Sequence, residues 1–303
     1  MAAEAEDGFP FPDSLGLPAL DSGEGQDQAS LPGGRETGIM LHALLEITPA
    51  EELKDREFAG WAADEKVKQR AAAALRRHGF AEMFSDEVLQ LVYNALRTPL
   101  RVENLEGTAV LTMPGGLASG KRHCPEMFFS YPIPEEFHPL LGGNDGRATS
   151  DDLPPYRVMR GFLQGLIDLV FEHEKKIYLL DWKSDRLPSY ERSVLADHVE
   201  KNYDLQARVY SLAVIRLLNI SSAKEYEEKF GGILYAFIRG VGAANAGGGE
   251  TRGIWFSRPT FEKIAGWERA LVKRTEWGGD VISSIVATGT ADAERGGDSG
   301  SEN

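Results

Sequence analysis

The sequence predicts one α/β domain, a central mixed sheet flanked by helices, set between two acidic tails. Three observations carry that reading. Segments with helical periodicity and strand-like apolar runs alternate between about residues 35 and 277. Two strongly apolar runs, Gly161–Phe171 and Ile177–Trp182, are separated by only five charged or polar residues, the pattern of two strands joined by a short turn. Both ends lack periodicity: residues 1–34, rich in Gly, Pro, Ser and acids, read as a disordered leader, and residues 278–303 as a disordered tail.

Taken in order, the first element begins at Glu36. T-G-I-M-L-H-A-L-L-E is helical, with Ile39, Leu41, Leu44 and Leu45 as its apolar stripe, and it sets His42 and Glu46 on one face, where the residue types alone favour an ordinary surface pair. Residues 50–98 read as helices. One, rich in Ala, Arg and Lys, ends near Arg77 with Gly79 as its C-cap, and the next runs from the cap residue Ser85 to about Arg97, stopped by Pro99. Lys66, Lys68, Arg70, Arg76 and Arg77 make this the most basic stretch; a solvated helix face is the default reading, a DNA-backbone contact the alternative.

Thr108–Met113 and Glu126–Ile133 read as the two arms of a hairpin. The loop between them imitates a phosphate loop, Gly115-x-x-x-x-Gly120-Lys121, but Arg122 stands where a Ser or Thr must hold Mg²⁺ and no helix signal follows, so ATP binding there is rejected. A Pro- and Gly-rich loop at 138–155 leads to the central hairpin. Residues 189–218 carry helical periodicity, with Leu205, Val209, Leu212, Ala213 and Leu217 on one stripe and Gln206 and Tyr210 together on a polar edge. Gly232–Arg239 is a strand, 241–253 a Gly-rich loop, Gly253–Ser257 a short strand and Thr260–Lys273 an amphipathic helix; the chain has no internal repeats.

Composition narrows the chemistry. No apolar run approaches the length of a membrane span, and the N-terminus has neither the basic nor the apolar region of a secretory signal. One cysteine, Cys124, rules out an internal disulfide and a thiolate metal site, and it fits a reducing cytoplasm; any metal must use carboxylate, His and carbonyl ligands, which favours hard ions such as Mg²⁺. The net charge of −14 is concentrated in the tails: residues 1–30 hold seven acids and no Lys or Arg, and residues 288–303 hold four acids against Arg295, which leaves about −4 for the body. Such a body offers no general attraction to DNA, so local basic clusters or a partner subunit must bring the strand.

The two central strands carry the chemistry. Each has an acid where its pattern calls for a hydrophobe, Asp168 in the first and Asp181 in the second. Carboxylates among such neighbours are costly unless a cation meets them. Strand parity puts Asp181 and Lys183 on one face and Trp182 on the other, so Lys183 is one candidate cation and a bound metal ion the second. Taken alone, D-x-K at a strand end is a structural ion pair.

The stretch from 160 to 210 resembles the PD-(D/E)xK nucleases, specifically the RecB-type nuclease domain. The words that carry the likeness are G-F-L-Q-G-L-I-D-L-V-F, Y-L-L-D-W-K-S, Y-D-L-Q-x-x-x-Y and, at 230–241, F-G-G-I-L-Y-A-F-I-R-G-V. The likeness spans roughly residues 35–275. Asp185 departs from it, standing where the family tends to carry Asn.

The resemblance implies a restriction-endonuclease-like sheet and a metal-dependent deoxyribonuclease, an exonuclease of the RecBCD type acting in DNA repair and recombination. It implies Mg²⁺, with Mn²⁺ as the substitute, held by His42, Asp168, Asp181 and the Trp182 carbonyl, because Gly38-x-x-x-His42-x-x-x-Glu46 matches a family helix whose His is a ligand. Lys183 would face the phosphate and handle the attacking water. Glu126, opening a strand similar to the family's E-x-x-F, is a candidate active-site acid, and Gln206 and Tyr210 would support the site. Its relatives join this domain to a helicase, so a helicase and RecC- or RecD-like subunits are expected partners beside DNA; the chain would be a free-standing nuclease or a separated nuclease domain. The alternative is a non-catalytic DNA-binding or assembly module that keeps the fold alone.

Overall fold

The computed structural model describes residues 30–104, 107–120, 122–133, 161–242 and 249–271. The leader up to residue 29, Lys121, the 138–155 loop, residues 243–248 and the 278–303 tail lie outside the described residues. Among those described, no helix is long and apolar enough to cross a membrane.

A five-stranded sheet in the order β3–β4–β5–β6–β7 divides the described residues into two cores. Its strands are β3 (His123–Ile133), β4 (Gly161–His173), β5 (Lys176–Lys183), β6 (Phe230–Phe237) and β7 (Ile254–Ser257). All neighbours are antiparallel except the central pair, β5 and β6. A parallel pair needs a crossover. Three helices supply it: α5 (Arg192–Asn202), α6 (Asp204–Leu217) and α7 (Ala223–Lys229). With α8 (Phe261–Leu271) they pack on one face of the sheet, around Leu195, Leu212, Tyr226, Tyr235 and Ile264. The other face carries α1 (Arg35–Glu46), α2 (Phe58–Ala62), α3 (Glu65–Arg77) and α4 (Ser85–Arg97), closed by Trp61, Leu75, Val92 and Trp182.

Most elements follow local chemistry. Helix α3 starts at Asp64, whose carboxylate accepts the Lys66 N–H at 3.0 Å, and ends with Gly79 at φ 75 as expected of a C-cap. In α1 the buried stripe is Met40, Leu41, Leu44 and Leu45; Ile39 stays half-buried outside it. The central hairpin is tighter than its five-residue polar spacer suggests. His173 pairs with Lys176, and Glu174 and Lys175 form a two-residue turn with φ 49 and 68. Left-handed backbone at both turn positions matches the strand twist, and here it is imposed on two residues with no intrinsic preference for it.

Three expectations are corrected. Thr108–Met113 does not pair with Glu126–Ile133: β2 (Ala109–Met113) pairs with β1 (Leu100–Glu103) in a separate two-stranded sheet, while β3 pairs with β4. The imitation phosphate loop therefore connects two sheets, through a short 3₁₀ turn at Leu117–Ser119. The helical periodicity of residues 189–218 is carried by two helices that meet at Tyr203, with φ −128° and ψ 1°. Leu217 leaves the buried stripe and is exposed. The start of α4 also differs in detail: Ser85 is its first residue and makes no cap bond.

Candidate active site

The site forms where the sheet ladder opens. β4 and β5 are paired from His173–Lys176 to Leu169–Leu180, and the next antiparallel pair would be Asp168 with Asp181; the pairing stops one step short of it. On the other side of β4, pairs run through Pro125–Leu169 and Met127–Ile167 and skip Glu126–Asp168. Glu126 has φ 49, a left-handed value that costs a non-glycine residue energy. The strand also turns over here. Ile167 belongs to one core and Leu169, two residues on, to the other, although alternate residues of a regular strand share a face. Asp168 thus sits at a local distortion in which its carboxylate replaces a missing strand neighbour: Oδ2 accepts the Trp182 N–H at 2.7 Å.

On β5 the parity reading holds. Trp182 points into the α1–α4 core, while Asp181 and Lys183 point toward α6. Asp181 is 3% exposed and Lys183 9%. Lys183 Nζ lies 2.6 Å from Asp181 Oδ2 and donates to Gln206 Oε1 at 2.9 Å. Asp181 Oδ2 is buried, with the Lys183 ammonium against it. Gln206 Nε2 donates to Asp181 Oδ1 (3.2 Å) and to the Tyr210 hydroxyl (2.9 Å), and Tyr210 donates to the Leu166 carbonyl at 2.7 Å. Gln206 therefore touches both the acid and the lysine, and Tyr210 ties it to β4.

His42 comes from the far end of the chain. Its Nδ1 lies 3.4 Å from Asp168 Oδ2. Helix α1 reaches this close because it carries Gly38 against the end of β5: a Cβ there would stand 2.9 Å from Ser184 Oγ. Glu46, one turn beyond His42, is exposed, so the pair suggested by spacing is replaced by His42 with Asp168.

The charges of these groups act on one another. Burial lowers the His42 pKa, but Asp168 and Asp181 outweigh it and the net shift is upward. Burial, with Asp168 and Glu46 adding repulsion, raises Glu126 to about 7. Burial also raises Asp181, against the pull of Lys183 and with Asp168 adding to it. Glu126 and Asp181 are both pushed toward the neutral form, by burial first and by the Asp168 charge beside it. All the candidate residues of the sequence meet here: Asp168, Asp181, Lys183, His42, Gln206 and Tyr210 through the contacts above, and Glu126 at the skipped β3–β4 pair. The basic stretch does not join them; Arg70 is held by Glu52 and Arg76 by Glu82.

Three residues beside the site were not read as part of it: Asp185, noted only as a departure, His198 and Tyr203. Tyr203 donates to Asp185 Oδ1 at 2.8 Å, and its ring lies 4.0 Å from Lys183 Nζ. Its place in Y-D-L-Q was the available signal.

A family model, that of the PD-(D/E)XK nuclease superfamily, matches residues 13–281. The chain belongs to this superfamily. It is 31% identical over 254 residues to the RecBCD enzyme subunit RecB of Escherichia coli (strain K12), which covers 77% of this chain and 19% of that protein. It is 27% identical over 244 residues to the protein of the same name from Borreliella burgdorferi, covering 78% and 20%. It is also 29% identical over 244 residues to the RecB protein of Haemophilus influenzae, covering 77% and 18%. The chain spans about a fifth of the length of the RecB proteins it matches.

PD-(D/E)XK nucleases generally use divalent metal ions. Among the described residues of this superfamily member, no three His, Cys, Asp or Glu side chains are gathered closely enough to hold one as they stand. Asp168 Oδ2 is engaged by the Trp182 N–H, and Asp181 Oδ2 is drawn to Lys183. The donor chemistry nevertheless fits a hard cation. Two carboxylates and an imidazole approach one another, and a divalent ion would offset the burial, and the added repulsion from Asp168, that raise Asp181 and Glu126.

Proposed function

We propose that this chain is a divalent-metal-dependent deoxyribonuclease that hydrolyses DNA phosphodiesters in repair and recombination, with residues 35–277 as its nuclease domain. The observation that carries the reading is the opening of the β4–β5 ladder, where Asp168, Asp181 and Lys183 converge with His42. His42, Asp168 and Asp181, with the Trp182 carbonyl, would hold Mg²⁺ or Mn²⁺. The ion supplies Lewis-acid stabilisation of the phosphoryl oxygens and a lowered pKa for the attacking water. Lys183 would orient that water against the phosphate through its ammonium protons. Gln206 bridges Lys183 and Asp181, and Tyr210 fixes Gln206 to the strand that bears Asp168. Glu126, raised toward neutrality by burial, would be the site's candidate acid.

The similarity to RecB supports an exonuclease that works within or beside a helicase complex with RecC- and RecD-like subunits, in the cytoplasm. A feeding helicase would also explain a substrate path that the acidic body does not provide. The test is cleavage of single- and double-stranded DNA by the purified chain with Mg²⁺ or Mn²⁺, beside Asp181→Ala. Activity should be metal-dependent and absent in the variant, while the circular dichroism spectrum is retained; equal cleavage by both proteins refutes the assignment.

A further inference from the structure

We propose that Tyr203, braced by Asp185 and His198, is a positioning residue for Lys183: its ring holds the lysine ammonium at the Asp181 edge of the site. The inference rests on the reading of Lys183 as a catalytic group.

Lys183 Nζ has Asp181 Oδ2 at 2.6 Å and Gln206 Oε1 at 2.9 Å. An ammonium has three protons to place. Two aromatic rings also flank it, Tyr203 at 4.0 Å and Tyr235 at 4.9 Å from their centroids. A ring face attracts a cation in this range, most where water is excluded. Lys183 is a long side chain with many rotamers, and a floor under its end is what removes them.

Tyr203 is itself held from several directions. It caps both helices at the α5–α6 junction: its N–H donates to the Val199 carbonyl at 2.8 Å, and its carbonyl accepts the Ala207 N–H at 2.9 Å and the Tyr235 hydroxyl at 3.2 Å. Its own hydroxyl donates to Asp185 Oδ1 at 2.8 Å. The same oxygen lies 3.0 Å from His198 Nε2. Asn202 Nδ2 stands 3.2 Å from His198 Nδ1, and an amide nitrogen only donates, so Nδ1 accepts and Nε2 carries the proton that reaches Asp185. The imidazole is wedged between the Tyr203 and Phe237 rings, at 5.7 and 5.8 Å. Asp185 is thus an acceptor for two donors on one oxygen, and the tyrosine ring cannot swing without breaking that bond. Asp185 lies two residues beyond Lys183, which ties the brace to the strand end it serves.

The test uses the full chain labelled with ¹³Cε-lysine, with the Lys183 signal assigned by Lys183→Met. The ring currents should place its ε protons upfield in the wild type. Tyr203→Leu should remove most of that displacement, and Tyr203→Phe, which keeps the ring but loses the Asp185 bond, should keep most of it and lose only the part that Asp185→Ala loses. In cleavage assays Tyr203→Leu should lose about tenfold in kcat with KM within about twofold, a pattern of lost positioning at the reacting end, and Tyr203→Phe should recover most of the loss. If Tyr203→Leu does not fold, Asp185→Ala carries the test, because releasing the hydroxyl should move the same signal part of the way. A Lys183 signal unmoved by Tyr203→Leu, or by Asp185→Ala, overturns the inference even if the wild type cuts DNA. A wild type that cuts nothing overturns the proposed function by itself, and the Lys183 signal still decides whether Tyr203 positions the ammonium.

Discussion

Gly165 is the most informative position to perturb away from the charged groups. A Cβ at residue 165 would stand 2.6 and 2.7 Å from Cζ and Cε1 of Phe129, whereas carbon atoms pack best at about 3.5–4.0 Å. The ring must therefore retreat by roughly 1 Å. The Tyr210 ring packs edge-on against it at a centroid distance of 5.6 Å, and Tyr210 is the residue that fixes Gln206 to β4. Overpacking of this kind costs about 1–3 kcal/mol, and replacing a strand glycine by alanine returns about 0.5–1 kcal/mol, so Gly165→Ala should destabilise by about 1–2 kcal/mol. Phe129→Leu alone should cost about 1–2 kcal/mol through the space it leaves. The double variant should be no less stable than Phe129→Leu, a coupling of about 1–2 kcal/mol, because the displaced ring is gone. Urea unfolding followed by tryptophan fluorescence reads all four proteins. Additive losses, or a Gly165→Ala protein as stable as the wild type, would refute the packing argument. Cleavage by Gly165→Ala should fall further than its stability loss explains, since the strain lands on Tyr210.

Three other outcomes are expected. Lys183→Ala should leave calorimetric Mg²⁺ or Mn²⁺ affinity nearly intact and reduce turnover by orders of magnitude; a loss of affinity like that of Asp181→Ala would make Lys183 a counter-charge only. Metal affinity should fall as pH drops through the raised His42 pKa, starting above the ordinary imidazole value near 6.5, because an imidazolium cannot coordinate; His42→Ala should bind more weakly and lose that limb, and identical profiles would exclude His42 as a ligand. Asp185 is pushed up by burial but held below its ordinary value overall by the His198 and Tyr203 hydrogen bonds, so its contribution to stability is present above the unfolded carboxylate pKa and is lost as pH falls through the lower folded one. Urea midpoints between pH 6 and pH 2 should fall more steeply for the wild type than for Asp185→Asn, and parallel curves would contradict this.

The D-x-K geometry was legible because it depends on strand parity alone, which residues 181–183 state by themselves. Gln206 and Tyr210 were legible through helical spacing for the same reason. Partner choice was not. β2 looks the same whether it pairs with β1 or β3, and the decision rests on tertiary packing. A local clue lay in Asn104, whose side chain accepts the Thr108 N–H at 2.8 Å and closes the β1–β2 turn. The face switch at Asp168 has no periodic signature either, because apolar residues flank it on both sides and both faces of the sheet are covered. Nor does residue spacing place His42 beside Asp168; only the G-x-x-x-H word suggested it. The break at Tyr203 escaped because N-Y-D-L carries no Gly or Pro.

The parallel pairing of β5 with β6 sets an order on synthesis. The β4–β5 hairpin is local and closes within microseconds once both strands have left the ribosome. It brings Asp168 and Asp181 together early. Gln206 and Tyr203 emerge later, and β6, which flanks β5 from Ile177–Phe230 to Lys183–Phe237, later still. At ribosomal speeds of about 5–20 residues per second that interval lasts seconds. A nascent chain thus brings its two acids near each other before it holds the contacts that orient its lysine, and on the proposed function it would be unable to cut until the sheet is complete.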